Sequence, residues 1–197
     1  MQLTSEQKEQ ILASGGRFLS ESEAADTTSA ILDHFPWSAC LDPWAFLDEE
    51  TSDYPVVVRA GPIKGYVVHF RHDDEPVVLA RSIEEYFVGF AASEWFLRDS
   101  MLPPIGPRSD AEEQAGQQLV AWAAAFEGPD KQGYDQQAWA GRALACGLIE
   151  KNIGLLMQLE QQSCHEAGAR LSQLGIDDRT PVPPWPTPSH LLVPEQP

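Results

Sequence analysis

The sequence predicts an α+β fold: a small antiparallel sheet with flanking helices, then a helical C-terminal half and an extended proline-rich tail. Three observations predict it. From Tyr54 to Ala80, three β-branched and aromatic runs follow one another across short turns. Directly after them, Ser82-Ile83-Glu84-Glu85 has the form of a capping box that starts a helix. From Asp135 to about Leu174 the chain has no proline and is rich in Ala, Leu, Gln and Glu, a composition that favours helix throughout.

Taken in order, Thr4-Ser5-Glu6-Gln7 opens a first helix that Gly15-Gly16 ends, and Ser20-x-x-Glu23 caps a second that runs to about His34. Ala24, Thr28, Ile31 and Leu32 give this second helix a narrow apolar stripe, and Pro36 stops it. Residues 35–47 carry two prolines and dense aromatics, so they read as an irregular segment or short helical turn packed on the sheet. Trp37, Trp44 and Phe46 suit its core side. Asp48, Glu49, Glu50 and Asp53 then form an acidic loop.

Tyr54–Arg59 and Gly65–Arg71 read as a hairpin across Ala60-Gly61-Pro62-Ile63-Lys64, and Asp73-Asp74-Glu75 turns the chain into a third strand, Pro76–Ala80. In the helix that follows, the Ser82 hydroxyl takes a backbone N–H and Glu85 reaches back to the N–H of Ser82. Ile83, Tyr86, Phe87, Phe90 and Leu97 share one face, which lies against the sheet. Glu94 falls in the same arc. Either the helix ends or turns by Ser93, which is favoured, or a partly buried carboxylate needs a partner.

Met101-Leu-Pro-Pro-Ile-Gly-Pro-Arg108 is the clearest breaker cluster and divides the chain into an α+β unit of residues 1–100 and a helical layer of residues 108–179 packed on it. Ser109-x-x-Glu112 caps a helix with Leu119, Val120, Ala123 and Phe126 on one face, ended by Gly128-Pro129. The long helical stretch needs a break, and Gly147 is the expected place. Ile149, Ile153, Leu156, Cys164, Ala167 and Leu171 then form the seam of a final helix. Residues 180–197 hold seven prolines and form an extended tail, either a terminal strap held by Trp185, Leu191 and Leu192 or a docking peptide.

A formal charge of -17 is the strongest compositional signal. It argues against nucleic acid, whose phosphates demand clustered Lys and Arg. An acidic surface can steer a basic partner, or it can simply keep a protein soluble. Residues 1–60 carry eleven acids against three bases, which makes the N-terminal third the more acidic face. No run of some 18 apolar residues predicts a membrane span, and the first residues lack the pattern of a secretory signal. Cys40, Cys146 and Cys164 stand far apart without CxxC pairing, which fits reduced thiols in a cytosol.

Chemistry is hard to find. His34, His69, His72, His165 and His190 lack metal-ligand spacing, and His69 and His72 read better as a hairpin-edge pair than as ligands. Cys164-His165-Glu166 are consecutive, so on a helix they point apart and cannot act as nucleophile, base and orienter. There is no nucleophile elbow, P-loop or dinucleotide fingerprint. No catalytic residue, cofactor or metal is therefore expected, and the chain reads as a binding protein rather than an enzyme.

Gly65–Phe70, Pro76–Ala80, Ser82, Glu84, Glu85, Tyr86, Phe87 and Phe90, within residues 54–97, form a pattern that resembles the SUKH superfamily of bacterial toxin-immunity proteins and fungal cell-wall regulators. The resemblance implies a cytoplasmic immunity protein that neutralises a toxin by stoichiometric occlusion. The charge suits a basic toxin domain, such as a nuclease. The expected contact face uses Asp48, Glu49, Glu50, Asp53, Asp73, Asp74 and Glu75, with Trp37 or Tyr54 as aromatic anchors. A rival reading is an intracellular scaffold or regulator whose helical half and proline-rich tail bind other host proteins. An enzyme of undetected type comes last.

Overall fold

The computed structural model describes residues 17–48, 53–71, 75–91, 107–125, 136–177, 179 and 180, together with Thr4, Ser5 and Glu9. The first predicted helix, Glu94, the breaker cluster before Pro107, Phe126 and the proline-rich tail beyond Thr180 therefore lie outside, wholly or mostly.

The second predicted helix forms as expected. Ser20 and Glu23 make a reciprocal capping box, with the Ser20 N–H donating to Glu23 at 2.8 Å and the Glu23 N–H to the Ser20 hydroxyl at 3.4 Å, and α1 runs over Glu21–His34. Just before it, β1 (Arg17–Phe18) pairs antiparallel with β3 (Leu47–Asp48). Between α1 and β3 the aromatic segment makes a 3-10 helix, Pro36–Leu41, and then a strand the sequence does not predict, β2 (Pro43–Ala45). Pro43 has no N–H to offer, and the Ala45 N–H donates to the Thr28 hydroxyl at 3.0 Å. The outer rim of β2 is thus closed by a missing donor and a side chain of α1, which is how an edge strand can tolerate proline.

β4 (Tyr54–Val58), β5 (Val67–Phe70) and β6 (Val77–Ala80) confirm the predicted hairpin and third strand, and the sheet order is β2-β4-β5-β6, antiparallel throughout. Gly61 in the β4–β5 turn has φ +75°, a left-handed conformation that glycine adopts without strain. α2 (Ile83–Ala91) follows with the Glu85 N–H bonded to the Ser82 hydroxyl at 3.2 Å. The reciprocal half differs from expectation: Glu85 accepts from the Arg81 N–H at 2.6 Å rather than from Ser82.

Alternation along the strands feeds two cores. Phe46, Leu47, Val67, Val77 and Leu79 meet Tyr86 and Phe87 of α2, with the Phe46 and Tyr86 rings edge to face at 5.6 Å. The opposite face, with Val56, Val58, Val68, Phe70 and Val78, packs against the helical half: α3 (Asp110–Ala125), α4 (Gln136–Cys146), α5 (Ile153–Gln161) and α6 (His165–Gln173). Leu119, Leu144, Leu148, Ile149 and Leu156 belong to that same core, so sheet and helical layer are welded by one apolar interior.

The stretch expected as one final helix is two. α5 and α6 are separated at Gln162–Cys164, where Ser163 has φ 67°, and Ile149 lies not in a helix but in the connection between α4 and α5. No helix among the described residues is long and apolar enough to cross a membrane.

Candidate functional site

The register fixes which segments share an end of the sheet. Tyr54 pairs with Phe70, so Asp53 entering β4 and Arg71 leaving β5 are neighbours. The acidic connection of residues 48–53 therefore opens at the same end as that of residues 71–75. Asp48 and Asp53 are half-buried here, and the Asp48 carboxylate accepts from Arg17 at 3.1 Å. Arg17 also bonds Glu23 at 2.6 Å, so one guanidinium ties β1 to both β3 and α1. Hydrogen bonds from Ser20, through its hydroxyl and its N–H, and then from Arg17 hold Glu23 down at about 2. Tyr54 is half-buried against the main core. Glu49, Glu50, Asp73 and Asp74 lie outside the described residues.

Two expected contacts are not on this face. Trp37 is fully buried in the main core, where the 3-10 helix packs it, and cannot anchor a partner. Glu75 is also fully buried, and its carboxylate accepts the N–H groups of His165 at 3.1 Å and Glu166 at 2.9 Å. Cys164, the N-cap of α6, makes no side-chain capping bond, so Glu75 caps that helix from a distant part of the chain. No local motif announces such a cap.

Arg71 completes the joint. Its Nε donates to the Glu75 carbonyl at 2.6 Å and its Nη2 donates to the same carbonyl and to the Glu166 carboxylate, the latter at 3.2 Å, with both side chains largely buried. The wall behind the acidic end is thus a charge-paired seam between β5 and α6.

A second seam holds the break between α4 and α5. Glu113 accepts three backbone N–H groups, from Glu150 and Lys151 at 2.9 Å each and from Asn152 at 3.0 Å. The carbonyls of the same connection are taken by guanidinium groups: Arg108 Nε donates to Gly147 at 2.7 Å and Arg170 Nε to Ile149 at 3.1 Å. A stretch that leaves its helix deep in the protein needs such partners for its backbone. Burial, with the nearby charge of Arg170, lowers Arg108 to about 10.

A third set centres on Glu112, which accepts from Arg81 Nε at 2.6 Å, Tyr66 Oη at 2.9 Å, and the Ser109 N–H and hydroxyl at 2.8 and 2.9 Å. Burial alone would raise its carboxyl, but these donors hold it at about 2. Burial and the bond to Glu112 push Tyr66 up to about 12. A carboxylate so surrounded by donors is fixed in its ionised form and suits anchoring rather than proton transfer.

Cys164, the extended N-cap residue, and Glu166, in the first turn of α6, are buried, while His165 between them is exposed. Among the described residues, no group of three or more His, Cys, Asp or Glu could hold a metal ion. Compared with known proteins, the chain matches no family model, no curated protein and no solved structure.

Proposed function

We propose that the chain is a cytosolic immunity protein that binds a basic toxin domain and neutralises it by stoichiometric occlusion. The observation that supports this reading most is the register of β4 and β5, which gathers two acidic connections at one end of the sheet. The contact set is Asp48, Glu49, Glu50, Asp53, Asp73 and Asp74, with Tyr54 at its rim. Glu75 belongs to the support behind it. A face of this kind draws a cationic partner by long-range attraction and repels nucleic acid.

The test is an activity titration against the basic secreted or effector domain encoded beside this gene. Its activity should fall in proportion to added protein and vanish near one equivalent. Full toxin activity at several equivalents overturns the proposal.

A further inference from the structure

Cys146 ends α4 and Cys164 begins α6, and their sulfurs lie 3.8 Å apart in the closed interior, where both residues are free thiols. Cys146 also donates to the Arg142 carbonyl at 3.2 Å, and Cys164 lies 4.0 Å from a Glu75 carboxylate oxygen. Each cysteine stands at a helix end beside a residue outside regular helix, Gly147 in one case and Ser163 at φ 67° in the other. Small backbone adjustments are tolerated at such junctions, and sulfurs already in van der Waals contact need only a short approach to reach the roughly 2 Å of a disulfide.

We propose that Cys146 and Cys164 form a reversible oxidation site, a dithiol that hydrogen peroxide closes to an intramolecular disulfide. The bond fastens the end of α4 to the start of α6 around α5. Cys164, next to solvent-facing His165, reacts first: its thiolate attacks one peroxide oxygen, the O–O bond breaks, and the departing hydroxide takes a proton to become water. The Cys146 thiolate then attacks the Cys164 sulfur, the S–S bond forms, the S–O bond breaks, and a second water leaves. Two thiols lose two electrons in all, and one peroxide becomes two waters. Burial keeps the Cys146 thiol well above its ordinary range, so closure is slow at neutral pH and faster in mild alkali.

The experiment uses the full chain carrying Cys40→Ser, which removes the half-buried third thiol of the 3-10 helix. Protein held with hydrogen peroxide at mildly alkaline pH is denatured, alkylated and weighed. The expected product is a monomer that has lost two hydrogens and takes no alkyl group, with tryptic peptides 143–151 and 152–170 joined and separated again by dithiothreitol. Its thermal midpoint should rise by several degrees on oxidation and return on reduction, whereas Cys164→Ala in the same background should show no reversible rise. Two alkylated thiols after prolonged oxidation, sulfinic acid in place of the crosslink, or a disulfide between two copies would each overturn the proposal. A fall in midpoint on crosslinking would overturn the fastening.

Discussion

Glu75 shows how one side chain changes meaning between sequence and structure. In the sequence it ends an acidic turn; in the fold it is the cap of α6 and is fully buried. Glu75→Gln replaces one acceptor oxygen by an N–H2 group facing a backbone N–H, and should cost about 1–3 kcal/mol, read from urea unfolding midpoints. Glu112 gives the pH dependence. Its carboxyl falls from an ordinary 4.5 to about 2 in the fold, so it contributes stability above pH 4.5 that is lost as pH falls toward 2. The full shift corresponds to at most about 3 kcal/mol. Glu112→Gln should flatten that acid limb in urea midpoints measured against pH. Glu23 is held as low, but on an exposed side chain where solvent screens the effect.

Elements with local start signals were legible, and those held from afar were not. Ser20 with Glu23 and Ser109 with Glu112 are closed within four residues, so α1 and α3 begin where the sequence says. β2 escaped because Pro43 and short length hide a strand whose outer N–H is satisfied by Thr28. The break between α5 and α6 escaped because Glu75 makes it viable from across the fold. The closeness of α3 and α4 is also tertiary: a Cβ on Gly141 would stand 2.7 Å from the Ala123 Cβ. Gly141→Ala should therefore destabilise by about 1–3 kcal/mol through overpacking, less about 1 kcal/mol regained in helix propensity. A Gly141→Ala protein with a higher urea midpoint than the wild type would mean the helices part freely.

At the scale of the molecule, the apolar pattern announced a sheet backed by helices, but not that sheet and helical layer share one core through Val56, Phe70, Val78, Leu119, Leu144 and Leu156. Nor could spacing alone tell that several carboxylates face inward. With Glu75 and Trp37 assigned to the interior, the proposed binding face is narrower than the acidic sequence suggests. The most direct measurement is the association rate with the proposed basic toxin partner at several salt concentrations, for the wild type and for the folded triple variant Asp53→Lys, Asp73→Lys, Asp74→Lys. The account predicts a wild-type rate that drops steeply with salt and, for the variant, an association at least about tenfold slower with a flatter salt dependence. Equal rates with equal salt dependence would contradict it.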